Sequence, residues 1–236
     1  MTTEAAELWQ DQDIVPHLCR DGFVLLPNWH QDRATIDIAR LIGTVLEVHA
    51  LLPRSGIPTV QTLKARCKTE SLVNQYSGTF GLGDFPLHTD LAHWARPPHY
   101  FVLRCIKGVS SVMTRLLPSS ELESTLGTAM LRRALVRPRH SRRTNCALPL
   151  MFRGSGTFGL RWDSIFIVPI NEPARRLAKF MSAGAWDQSK QVEVALTNHG
   201  DTLIVDNWRI LHGRSSVPTT EIERRLERVY LSELHT

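Results

Sequence analysis

From Tyr100 onward the chain reads as a series of short strands with few helices between them, and that pattern limits the fold more than any other feature. Residues 100–106 (YFVLRCI) are aromatic and β-branched enough for a buried strand. Residues 158–162, 191–196, 202–205 and 226–231 follow as strand-like pieces. Residues 172–183 are a helix candidate among them. Residues 119–126 open another, with Ser120 three positions before Glu123 in capping-box spacing. No βαβ alternation runs through this half, which disfavours a doubly wound parallel sheet. A β-sandwich or a jelly-roll barrel with helices packed outside fits the order better. Upstream, residues 22–27 (GFVLLP) form a short strand closed by proline. Residues 14–19 read as the end of a small helix, and residues 34–46 carry helical apolar spacing at Ile36, Ile38, Leu41, Ile42 and Val45.

The 236 residues contain no repeat, low-complexity tract or linker, so residues 1–236 are expected to form a single domain. No stretch approaches the roughly 18 consecutive apolar residues of a membrane span. The polar, acidic opening MTTEAAELWQDQD lacks the apolar region of a secretory signal. Cys19, Cys67, Cys105 and Cys146 are scattered without a CxxC pair, which points to reduced thiols and a cytoplasmic location. The net charge of +5 permits an anionic partner without demanding one. The one charge run, residues 132–143 (RRALVRPRHSRR), contains no aromatic residue. It therefore reads as solvated surface rather than a nucleic-acid groove.

Chemistry concentrates in two places. In Phe85-Pro86-Leu87-His88-Thr89-Asp90 the histidine and the aspartate are two apart on an extended segment and share a face, so one imidazole nitrogen and one carboxylate oxygen can reach a single metal. His-x-Asp alone is a weak signal. The segment GDTLIVDNWRILHGR (residues 200–214) adds a turn, a strand and His212 at its far end. Two histidines and one carboxylate make the facial triad of non-haem Fe(II) oxygenases, whose opposite face stays open. Downstream, Arg224 and Arg228 fall on one face of a strand, where a guanidinium can pair with a carboxylate.

The ordered set GFVLLP, LHTD, PPHYFVLRCIKG, the variant GVSSVMT, LRWD, GDTLIVDNWRILHGR and RRLERVYL resembles the TauD/clavaminate-synthase-like branch of the Fe(II)- and 2-oxoglutarate-dependent dioxygenases. The resemblance covers most of the chain. It implies a mainly β fold with flanking helices around a double-stranded β-helix, the jelly-roll or cupin-like core. It also implies His88, Asp90 and His212 as iron ligands and catalytic centre, Arg224 as partner of the distal 2-oxoglutarate carboxylate, and Arg228 as holder of a second anionic group from cosubstrate or substrate. A one-residue slip would turn Arg225 inward instead. Ser111 falls where relatives carry a cosubstrate-binding threonine. Asp90 is present where halogenating relatives have a small residue and bind chloride, so hydroxylation or desaturation is implied. Iron, 2-oxoglutarate and O2 would together oxidise an unactivated C–H bond of a small molecule, an amino acid or biosynthetic intermediate, with release of succinate and CO2. Fe²⁺, one carboxylate and a dianionic cosubstrate sum to −1, so a nearby arginine is physically required.

Around this set, Gln75 and His93 are candidate substrate contacts. Asn74, Gln75 and Tyr76 precede residues 77–84, whose three glycines suggest a lid. Trp94 is alternatively pocket wall or ordinary packing, and His99 either supports the ligands or faces the substrate, or is an ordinary surface or core histidine. Asn207 and Trp208 read as strand packing, and Asp163 as either a turn cap or a partner for a substrate cation. The chain is short for this branch, which suits a substrate carried on another protein or a homodimer that completes the pocket. The competing reading is a catalytically silent jelly-roll that binds a ligand or a protein.

Overall fold

Strands of alternating inward and outward side chains make up most of the regular structure. The computed structural model describes residues 11–52, 56–71, 75–139, 146–154 and 156–235. In chain order the strands are β1 (Phe23–Leu26), β2 (Gly43–Val45), β3 (Gln61–Lys64), β4 (Phe85–His88), β5 (Tyr100–Lys107), β6 (Met113–Pro118), β7 (Leu135–Pro138), β8 (Leu148–Pro149), β9 (Met151–Arg153), β10 (Phe158–Leu160), β11 (Ile167–Pro169), β12 (Val192–Ala195), β13 (Thr202–Asp206), β14 (Ile210–Arg214) and β15 (Arg225–Leu234). The helices are α1 (Asp11–Asp21), α2 (Thr35–Ile42), α3 (Val48–Leu51), α4 (Tyr76–Phe80), α5 (Ser119–Leu126), α6 (Thr128–Arg133) and α7 (Glu172–Ala183).

A major sheet runs β1-β13-β5-β15-β2, with β3 also on β15, and a minor sheet runs β12-β6-β14-β4. Their strand pairings are antiparallel. The alternation within β5 shows how the layers form. Phe101, Leu103 and Cys105 point between the sheets and meet Leu116 of β6, Ile210 of β14 and Tyr230 of β15. Val102 points the other way, with Ile204 and Val229, into a layer closed by Ile14 and Leu18 of α1 and Ile38, Ala39 and Ile42 of α2. Each such fully buried aliphatic side chain stabilises the fold by about 1.5–3 kcal/mol. The insert between β6 and β12 carries α5, α6, α7 and two small sheets. Its apolar residues pack on the outer face of the minor sheet through Leu117, Leu211 and Leu87.

This is the jelly-roll arrangement expected from the strand order, and the helix over 172–183 matches α7. Three local expectations change. Residues 34–46 are not one helix, because the chain leaves the helix at Ile42 and Gly43 begins β2. A Cβ on Gly43 would lie 2.2 Å from the Glu233 carbonyl oxygen, so the close pairing with β15 needs glycine there. Ser120 does not cap α5, whose N-cap is Pro118 with no side-chain capping bond. Residues 77–84 are not all loop, since α4 takes in Tyr76 to Phe80. Asn74 lies outside the described residues, as do residues 140–143 of the basic run. Arg132 and Arg133 end α6, and Arg137 lies on β7, so the run is divided among elements. The four cysteines are free thiols. Among the described residues no helix is long and apolar enough to cross a membrane.

Candidate active site

Pairing of β14 with β4 sets His212 directly opposite His88. Opposed residues of an antiparallel pair share a face, so both imidazoles project to the same side, ring centroids 4.3 Å apart. Asp90 follows two residues after His88, in the turn that leaves β4. His88 Nε2 lies 3.7 Å and His212 Nε2 3.6 Å from the same Asp90 oxygen. The three ligand atoms all lie within 4.8 Å of one another, and all three residues are buried. His88 Nδ1 stands 2.9 Å from the Pro86 carbonyl oxygen. A carbonyl can only accept, so Nδ1 carries the proton and Nε2 turns a lone pair toward the centre.

Charge is arranged to match. Burial, followed by the neighbouring His212, lowers the His88 pKa to about 3, so the ring is neutral at physiological pH. Burial pushes the Asp90 carboxyl up, but Arg228 and then the two imidazoles outweigh it and hold Asp90 well below the usual carboxylate range. Arg228 Nη1 donates to both Asp90 oxygens, at 2.9 and 2.7 Å, and Nη2 donates to Gln61 Oε1 at 2.8 Å. Tyr76 stacks on His88 with ring centroids 4.2 Å apart. Its phenol faces Asp163, and burial followed by that carboxylate pushes the Tyr76 pKa well up.

The turn bearing Asp90 is held from β13's far end. Asn207 is fully buried; its Oδ1 accepts from Asp90 N at 2.7 Å, and its Nδ2 donates to Asp90 O at 3.1 Å and Pro98 O at 2.9 Å. The strand-packing reading of Asn207 is therefore corrected: it clamps the backbone of a triad residue. Trp208 does pack, with its indole N–H donating to Pro97 O at 3.1 Å. Arg161 performs a similar service just downstream, donating to the carbonyls of Ala92, Trp94 and Ala95.

The remaining predicted residues separate. Arg224 precedes β15 and is 7 % exposed, whereas Arg225 is exposed, so the predicted register places Arg224 inward. Burial lowers the Arg224 pKa to about 10, and among the described residues it makes no ion pair. The Arg214 guanidinium is near enough to feel its charge. Ser111 is exposed in the turn between β5 and β6. The buried hydroxyl on β6 is Thr114, opposite Arg214, two positions along the strand pair from the Leu116–His212 pair and on its face. Gln75 is exposed at the start of α4, and His93 packs beside Phe166 at 5.4 Å. Asp163 accepts from Ile165 N at 2.7 Å and Phe166 N at 2.9 Å, so the turn-capping alternative is present in the structure. Gln61 had no motif to announce it; only the β3–β15 register sets it opposite Arg228.

No family model matches the chain, and no curated protein matches it in sequence. Solved structures do match. An asparagine oxygenase in complex with Fe(II), 2S,3S-3-hydroxyasparagine and succinate superposes with a TM-score of 0.68 at 17 % identity, over 94 % of this chain and 78 % of that one. PvcB from Pseudomonas aeruginosa gives 0.63 at 19 % identity, over 96 % and 81 %. The non-heme iron oxygenase OrfP in complex with Fe and alpha-ketoglutaric acid gives 0.64 at 20 % identity, over 94 % and 79 %. The chain has the fold of these oxygenases. Within that fold His88, Asp90 and His212 stand together on the minor sheet and its adjoining turn.

Two buried groups give the site a signed pH response. His88 has a native pKa of about 3 against an ordinary 6.5, so the unfolded chain takes up a proton that the native one refuses. Its stabilisation is complete above pH 6.5 and is lost as pH falls toward 3. Burial raises Asp163 to about 6 from 3.8, so between those values the native state holds the extra proton and stability falls as pH rises. The two oppose each other between about pH 4 and 6. Asp163→Asn removes one of them, so its unfolding free energy should fall with acidification about 1.4 kcal/mol per pH unit more steeply than wild type in that window. Parallel urea titration curves for the two proteins would refute the assignment.

Proposed function

We propose that residues 1–236 work as one Fe(II)- and 2-oxoglutarate-dependent oxygenase domain of the TauD/clavaminate-synthase-like branch, acting on an unactivated C–H bond of a small molecule of amino-acid type. The observation that carries this is the buried convergence of His88, Asp90 and His212 around one point. The donor set fits ferrous iron: two imidazole nitrogens and one anionic oxygen. The amino-acid class draws support from the asparagine oxygenase bound to a hydroxyasparagine and from OrfP bound to (3S)-hydroxy-L-Arg.

With iron held by His88 Nε2, His212 Nε2 and Asp90, O2 and 2-oxoglutarate would supply the oxidation: one oxygen atom enters succinate as CO2 leaves, and the other replaces the substrate hydrogen as hydroxyl. The chain's own part is placement. His88 is fixed in its metal-binding tautomer by Pro86 O. Arg224, a buried cation without a carboxylate among the described residues, would take the distal carboxylate of the cosubstrate, and Thr114 is a buried hydroxyl on the face of β6 that Leu116 shares. Tyr76 and Phe101, packed on His88 and His212, would keep bulk water from the ligands. Gln75 and His93 would lie toward the substrate side.

Anaerobic addition of Fe(II) and 2-oxoglutarate should produce a visible metal-to-ligand charge-transfer band in wild type and none in His212→Ala. Succinate release across a panel of amino acids then finds the substrate. A correctly folded wild-type protein that gives no band would instead be the silent jelly-roll binding domain.

A further inference from the structure

Arg228 is engaged in a way that bears on how the triad takes up its metal. One guanidinium nitrogen donates to both oxygens of Asp90, at 2.9 and 2.7 Å. The other terminal nitrogen is pinned by Gln61 Oε1 at 2.8 Å, and the guanidinium stands 5.0 Å from the Tyr230 ring centroid. Asp90 and Arg228 cancel each other's charge across this contact. The buried site is balanced by a side-chain cation that contacts the same oxygens a metal would claim. A dication added to this arrangement leaves a buried net charge of +2 and faces Arg228 across the shared carboxylate, which opposes binding. An anionic ligand cures the imbalance. One buried donor is left for it, since Arg228 Nε has no hydrogen-bond partner among the described residues. A buried donor left unmade is costly, so an acceptor supplied by a ligand is favoured there.

Building on the proposed metal site, we infer that Arg228 is a built-in counter-ion that competes with the metal for Asp90, and that an incoming carboxylate draws Arg228 off Asp90, so metal and anionic ligand bind cooperatively. Gln61 acts as a positioning residue that holds Arg228 in the competing pose. Nothing covalent changes: one ion pair is exchanged for two. The consequence runs against the usual effect of mutating a site residue, because loss of Arg228 should strengthen the bare metal site.

Mn(II) affinity, read from the electron paramagnetic resonance signal of free Mn(II) at pH 7.5 with no carboxylate present, tests this. Arg228→Leu should bind Mn(II) at least about tenfold more tightly than wild type, and Gln61→Leu should shift the same way by a smaller factor. Protein stripped with chelator should melt lower in Arg228→Leu than in wild type, and Mn(II) should raise its melting temperature by more. Adding 2-oxoglutarate should tighten Mn(II) by a larger factor in wild type than in Arg228→Leu. Equal or weaker Mn(II) binding by a folded Arg228→Leu protein overturns the inference; should that variant not fold, the same criterion applies to Gln61→Leu. Wild type that binds no Mn(II) at all, and gives no charge-transfer band, defeats the proposed function itself.

Discussion

Asp90→Ala is expected to lower substrate-dependent succinate release by about 10³-fold or more, equivalent to about 4 kcal/mol of transition-state stabilisation. On the proposed function, the substitution removes the only carboxylate of the triad, so the two imidazoles must hold a dication without charge neutralisation. It also strands Arg228. The guanidinium now spends its Nη1 hydrogens on Asp90, and burial would leave it without that partner. Breaking one half of a buried ion pair costs about 3–5 kcal/mol. Chemical denaturation of chelator-treated protein should therefore show a loss of that order alongside the lost turnover. Retained turnover would mean that the carboxylate is not part of the reacting centre. Unchanged stability would mean that Arg228 finds another partner.

The second large effect is expected at Asn207→Ala. The wild-type amide satisfies the N–H and the carbonyl of Asp90 and the carbonyl of Pro98, all in a region closed to solvent. Truncation leaves three backbone groups without their partner and opens a cavity behind the triad. Each such group costs about 1–3 kcal/mol, so a total loss near 3 kcal/mol or more is expected. Asp90 would also lose its aim, and supporting residues of this kind typically change metal affinity or activity by about 10- to 100-fold. Denaturation midpoints together with Mn(II) affinity check both parts. A variant of near wild-type stability and affinity would return Asn207 to the packing role that the sequence suggests.

Asn207 also marks the boundary of what could be read in the chain. The dyad of His88 and Asp90 was visible because an extended segment sends residues two apart to one side. The strand over 202–205 and the histidine at its far end were visible for a similar local reason. The inward Arg224 and outward Arg225 follow from the same alternation. Ser111 lies in the turn between β5 and β6, whose length is not encoded in any periodicity. Once β6 pairs with β14, the pleat places Thr114 on the face shared by Leu116 and His212.

Local preference and hydrophobic alternation, properties carried by each segment alone, determined that this chain would build antiparallel sheets with helices outside them, and which histidines and aspartate were fit to bind metal. Which distant groups meet those residues was decided by tertiary structure. Gln61 opposes Arg228 through strand register, Arg228 reaches Asp90 from 138 positions away, and Asn207 clamps it from 117. Such contacts depend on how sheets stack and where a bulge shifts the pairing, and a single backbone step there exchanges one face of a strand for the other.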